Sequence, residues 1–108
     1  MAAKITDITG MDFATATADG AAMVLLDLWS PTCAPCKALA PILEDLAADF
    51  AGEVQVYKAD VSRDQALAER FAARSLPTLA LCRGGVEIDR IVGLRSRAQL
   101  TLWLESHL

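Results

Sequence analysis

Cys33 and Cys36, separated by Ala34 and Pro35, are the side chains in this 108-residue sequence best placed to do chemistry. Downstream of them Leu39, Ile42, Leu43, Leu46 and Phe50 recur at helical spacing on one face, while Glu44, Asp45 and Asp49 fall elsewhere. Pro35 suits a first helical turn, where a missing N–H costs nothing. The pair therefore belongs at a helix N-terminus, where backbone N–H groups lack partners and the helix dipole is positive. Both effects favour a thiolate at Cys33, with a pKa below the free value of about 8.5. Cys36, one turn further in, keeps its proton longer. That asymmetry fits exchange with a disulfide, Cys33 attacking and Cys36 resolving the mixed species. The same spacing also suits half of a tetrahedral zinc site, for which Cys82 and His107 are the remaining cysteine and histidine. A purely structural cross-link is a third reading, although so small a loop adds little stability.

Elements on either side must hold this pair. A short edge strand is expected from Lys4 to Ile8, and a weak helix from Met11 to about Ala18, capped by Thr9 or Gly10. Ala22 to Leu26 is an unbroken apolar run, as in a strand covered on both faces. The helix from Ala34 to Phe50 contains Pro41, which should kink it. Val54 to Val61 reads as a strand. Ser62-Arg63-Asp64-Gln65 resembles a capping box before a helix burying Leu67, Ala68 and Phe71. A strand from Leu79 to Cys82 turns through Arg83-Gly84-Gly85 into another, Val86 to Val92, with a bulge expected near Asp89-Arg90. Ser96-Arg97-Ala98-Gln99 is a second capping box, opening a helix that buries Leu100, Trp103, Leu104 and Leu108. The order β-α-β-α-β-α-β-β-α predicts a single α/β domain over residues 1–108. Its expected core is a mixed five-stranded sheet flanked by four helices, parallel in its first part and closed by an antiparallel hairpin.

Composition narrows the function. Hydrophobic residues make up 54% and charged residues 22%, which argues against intrinsic disorder. A net charge of −4 with scattered Lys and Arg argues against nucleic-acid binding. The most apolar stretch, Ala21 to Trp29, is too short to span a bilayer and contains Asp27. Residues Met1 to Asp7 lack the apolar core and cleavage pattern of a signal peptide, so a cytoplasmic protein is expected. An odd count of three cysteines differs from the even, dense pattern of secreted scaffolds. Cys82, in a central strand, is expected to be a small buried hydrophobe.

Taken together, Leu26-Asp27-Leu28-Trp29, Cys33-Ala34-Pro35-Cys36-Lys37, Ala40-Pro41-Ile42-Leu43 and Pro77-Thr78-Leu79 resemble the thioredoxin family. Gly84, Gly93 and the terminal helix extend the resemblance over essentially the whole chain. It implies a cis Pro77 lying against the dithiol, with the backbone of Leu76 free to pair with an extended partner. Asp27 matches a buried aspartate beneath the second cysteine. Independently, a carboxyl within an apolar strand should have a raised pKa, fitting a base for Cys36. Lys58 shares strand parity with Val54 and Val56 and is expected either to point inward toward Asp27 or to snorkel. Trp29 matches a tryptophan packed beside the dithiol, whose fluorescence should follow the redox state. Gly93 is expected to admit a partner backbone.

The sequence departs from the family pattern beside Cys33. Thr32 replaces the usual aromatic residue, Pro31 stiffens the approach, and Ala34 replaces the usual glycine. Altered partner preference and potential are the expected consequences. The resemblance implies a monomeric protein-disulfide reductase that needs no bound cofactor, its redox-active Cys33–Cys36 disulfide sufficing. Its implied partners are a thioredoxin-reductase-type electron donor and disulfide-containing proteins. Two alternatives stand beside this: an oxidase or isomerase in an oxidising compartment, and a non-catalytic binding or holdase module.

Overall fold

Apolar runs alternate with amphipathic segments, and the chain folds in the order these dictate. A computed structural model describes residues 5–17 and 23–108. Its elements are β1 (Thr6–Asp7), α1 (Gly10–Thr17), β2 (Met23–Trp29), α2 (Ala34–Asp49) and β3 (Val54–Asp60). They continue as α3 (Gln65–Arg70), β4 (Thr78–Arg83), β5 (Val86–Val92) and α4 (Arg97–Glu105). Lys4, Ala18 and Ala22, placed in elements from the sequence, lie outside the described residues.

The strands form one sheet in the order β1-β3-β2-β4-β5. β1 and β2 run parallel to β3, while β4 is antiparallel to both β2 and β5. β2 is covered on both sides, which explains its unbroken apolar run. Met23 and Leu25 pack with Leu39, Leu43, Leu100 and Leu104 beneath α2 and α4. Val24, Leu26 and Leu28 pack on the opposite face with Phe13, Leu67 and Phe71 from the α1 and α3 side. Each fully buried leucine contributes about 1.5–3 kcal/mol, so the two faces together fix where β2 ends.

Local chemistry sets the boundaries. Thr9 caps α1, its Oγ1 accepting from the Asp12 N–H at 3.4 Å. α2 is continuous through Pro41, whose missing N–H leaves the Lys37 carbonyl without its usual donor. Ser62 is not the cap of α3, contrary to the sequence expectation. Asp60 accepts from both the Ser62 N–H (2.9 Å) and hydroxyl (2.6 Å), and Asp64 caps instead, accepting from Leu67 N–H at 3.0 Å. An aspartate two residues upstream thus outcompetes the helix for the serine.

Ser96 forms the expected capping box, accepting from Gln99 N–H (3.1 Å) while the Gln99 side chain accepts from Ser96 N–H (3.0 Å). Gly84 and Gly85 both have positive φ, +60° and +80°, the two-residue turn that matches strand twist. The β5 bulge lies one residue earlier than expected: Leu81 faces Asp89 and Cys82 faces Glu87, leaving Ile88 as the extra residue. Leu108 is 56% exposed because α4 ends at Glu105, before another turn would bring it round to the core.

Candidate functional site

Parallel pairing of β1, β2 and β3, with β4 and β5 antiparallel in sequence, brings five chain segments to one end of the sheet. The C-terminal ends of β1, β2, β3 and β5 meet there with the start of β4. Cys33 stands at this end as the N-cap of α2, in extended conformation (φ −94°, ψ 105°). It is joined by a disulfide to Cys36, with Cα atoms 5.3 Å apart. Its N–H donates to the Ser30 carbonyl at 3.2 Å, and its Sγ accepts from the Cys36 N–H at 3.2 Å. The same donor is aimed to stabilise a thiolate once the disulfide opens. Cys33 is half-buried, whereas Cys36 is 3% exposed. Pro35 occupies the first turn.

Asp27 lies on the β2 face covered by α2, in register with Lys58 on β3. It is 4% exposed, and its Oδ1 has no hydrogen-bond partner. Burial pushes its carboxyl from 3.8 up to about 7; Lys58 pulls it down and Asp7 adds to the rise. Lys58 forms no ion pair with it among the described residues; its ammonium lies 5.0 Å above the Trp29 ring. The inward course expected for Lys58 therefore ends on an aromatic face, and its charge reaches Asp27 only through space. Trp29 is half-buried beside this group, its Nε1 enclosed without a partner.

Across from the dithiol, the Leu76–Pro77 peptide is cis, and Pro77 is buried. Its carbonyl accepts from Gly93 N–H at 2.8 Å. The Thr78 hydroxyl donates to the Ser75 carbonyl at 2.6 Å and closes the turn. Leu76 is half-buried, and its backbone takes part in none of the turn and loop hydrogen bonds among the described residues. Gly93 has φ +93°, a conformation that side chains rarely adopt. The structure thus brings Cys33, Cys36, Pro35, Leu76, Pro77 and Gly93 to one end, with Asp27, Trp29 and Lys58 in the C-terminal halves of the neighbouring strands β2 and β3.

Thr32 and Ala34 are exposed next to Cys33, and the Thr32 hydroxyl is 3.4 Å from that of Ser30. Sequence reasoning quoted Thr78 only as part of the family motif and gave it no role, although a hydroxyl directly after a loop proline was a usable signal for a turn-closing bond. It also missed Arg95, whose guanidinium lies over Gly93, 3.3 Å from where a Cβ would sit. Cys82 is fully buried on β4, facing the α1 and α3 side, with its thiol pushed up to about 11. His107 lies outside the site, 2.8 Å from Asp89, which also accepts from Trp103 Nε1.

Comparison with known proteins agrees with this geometry. A family profile described as thioredoxin matches residues 4–106. The thioredoxin of Haemophilus influenzae is 36% identical over 105 residues, covering 97% of this chain and 98% of its own. Thioredoxin 1 of Nostoc sp. is 35% identical over 107 residues, covering 99% and 97%. A Staphylococcus aureus thioredoxin is 36% identical over 104 residues, covering 96% and 98%. A close cysteine pair at a helix start, set within end-to-end similarity of this kind, places the chain in the thioredoxin family of thiol–disulfide oxidoreductases.

Proposed function

We propose that this chain reduces protein disulfides with Cys33 as the attacking nucleophile and Cys36 as the resolving thiol. The observation carrying the assignment is the difference in access: Cys33 is half-buried at the helix cap, whereas Cys36 is 3% exposed. In the reduced protein, the Cys33 thiolate attacks one sulfur of the partner's disulfide and the other partner sulfur leaves as a thiolate. Cys36 then loses its proton and attacks Cys33 Sγ. The second partner sulfur departs, and the Cys33–Cys36 disulfide remains. Two electrons pass to the partner at each turnover, so the pair itself is the redox group and no bound cofactor is required.

Asp27 is the base in this scheme. A carboxyl with a pKa of about 7 exchanges protons readily near neutrality, and burial leaves the ionised form poorly solvated, eager to take the Cys36 proton. Leu76 offers its backbone to an extended partner segment and Pro77 places no competing N–H beside it. Gly93 adds no side chain of its own to the approach, so that a partner backbone entering there has the Arg95 side chain to displace. Lys58 and Trp29 support Asp27 and the dithiol. Thr32 and Ala34, polar and small respectively, alter which partners fit beside Cys33. The reading includes a monomer in the cytoplasm, recharged by a thioredoxin-reductase-type donor; the absence of any further cysteine pair in the sequence agrees with a reducing compartment.

Single-turnover reduction of a model protein disulfide tests these roles. Cys33→Ser should abolish it, and Cys36→Ser should accumulate a mixed disulfide through Cys33. Asp27→Asn should slow resolution while leaving the first attack intact. Full turnover by Cys33→Ser refutes the assignment of the nucleophile, and unchanged resolution in Asp27→Asn refutes the base.

A further inference from the structure

Charge is distributed unevenly around the dithiol. Three segments border it on the α2, β4 and β5 sides: residues 30–41, 72–77 and 93–96. They contain Lys37, Arg74 and Arg95 and not one carboxylate, although the chain as a whole carries a net charge of −4. Lys37, Arg74 and Arg95 are exposed, and none forms an ion pair among the described residues. Arg97, by contrast, is held by Asp45 and Asp49.

Arg95 is placed rather than merely present. Its Nη1 donates to the Leu94 carbonyl at 3.1 Å and lies over Gly93. The Gly93 N–H in turn reaches the Pro77 carbonyl at 2.8 Å. The guanidinium therefore lies against the residue that bonds to the cis-proline turn, in which the Leu76 backbone makes no turn or loop hydrogen bond among the described residues. Arg74 sits two residues before Leu76. Carboxylates gather instead on the β3 side, where Asp7, Asp60 and Asp64, together with Arg63, line a cleft of about 440 Å³ that Trp29 and Pro31 also border.

We infer that the partner segment laid along Leu76 is acidic: its target cysteine is flanked by Asp or Glu, which Arg74 and Arg95 attract. This rests on the exchange reading above and specifies the substrate class it prefers. Two cations beside one exposed carboxylate raise the capture rate several-fold at low salt, and screening removes the effect once the Debye length falls to a few ångströms.

The test uses prereduced protein and three short peptide disulfides that differ only in the residues flanking each cysteine: Glu, Gln or Lys. Flanking charge also alters the peptide's own thiol chemistry. The quantity to read is thus the Glu-to-Lys ratio of second-order rates in the wild type divided by that in Arg74→Gln/Arg95→Gln. A quotient of about three or more in low salt, falling toward one in about 0.5 M salt, is the expected result. A quotient of one in low salt overturns the inference while leaving the exchange reading intact. Failure to reduce any of the peptides removes the exchange reading and this inference with it. Should the double variant lose its fold by circular dichroism, Arg95→Gln alone and the wild-type salt series decide by the same criteria.

Discussion

Replacing Asp27 with Asn should make the oxidised protein more stable, and increasingly so as pH rises. Moving a carboxyl from 3.8 in the unfolded chain to about 7 in the fold corresponds to about 4 kcal/mol at about 1.36 kcal/mol per pH unit. The sign follows from proton occupancy. Below pH 3.8 the group is protonated in both states and costs nothing. Between 3.8 and 7 the unfolded chain has released its proton while the fold retains it, so the penalty grows with pH. Above 7 both are ionised and the penalty is complete. Asn is a fair neutral reference because it has the same shape, and Asp27 Oδ1 already lacks a partner.

Urea titrations of wild type and Asp27→Asn, both with the Cys33–Cys36 disulfide intact, measure the difference directly. They should unfold with nearly equal stability at pH 3.5. The variant should lead by about 2 kcal/mol at pH 5.5 and by up to about 4 kcal/mol at pH 8. Such a gain is a large share of a typical domain's total of about 5–15 kcal/mol. A difference independent of pH, or a variant less stable at pH 8, refutes the claim that burial of this carboxyl costs the fold ionisation energy. The result also bears on function, since a base kept at a cost to stability is what the proposed proton transfer from Cys36 requires.

Cys82→Ser should destabilise the protein by about 1–3 kcal/mol in urea, because the hydroxyl would enter a fully buried apolar site without a partner. The native thiol, pushed up to about 11, should resist alkylation until the protein unfolds. Ser96→Ala removes one half of the α4 capping box and should lower stability by about 1 kcal/mol in the same assay. Asp89→Asn weakens an acceptor shared by Trp103 and His107. The bond from Trp103, then that from His107, holds the Asp89 carboxyl below its usual value. Its contribution should thus be present at pH 7 and fade as pH falls through that lowered value. With the side chain 42% exposed, the loss at pH 7 should stay below about 1 kcal/mol, read from the urea midpoint at both pH values.

Much of the fold was legible because its signals are local and dense. The apolar run in β2, the helical spacing from Leu39 to Phe50, the Gly84-Gly85 turn and the Ser96 capping box each carry their cause within a few residues. Errors arose where two local signals competed. Ser62-Arg63-Asp64-Gln65 satisfies the capping pattern, but Asp60 lies close enough to take both the Ser62 N–H and its hydroxyl. The cap then passed to Asp64, and α3 began three residues after Ser62. The bulge was visible as a break in alternation along β5, but only pairing with β4 shows that Ile88 is the residue left over.

The site divides in the same way. Cys33 and Cys36 announce themselves because their spacing and the helix that follows are both local. Asp27 was legible as a charge inside an apolar strand. Lys58 was legible only to the point of facing inward: its parity set the face, but the choice between the carboxylate and the Trp29 ring depended on reach. Arg95 gave no signal, since an arginine after a loop glycine is ordinary in sequence. Its meaning comes from three steps that the sheet alone supplies: β5 ends beside the start of β4, Gly93 bonds to Pro77, and the guanidinium folds back over Gly93. The groups that perform exchange are therefore written in short motifs, whereas the charges proposed to choose the partner come from separate loops and acquire a shared role only when the sheet closes.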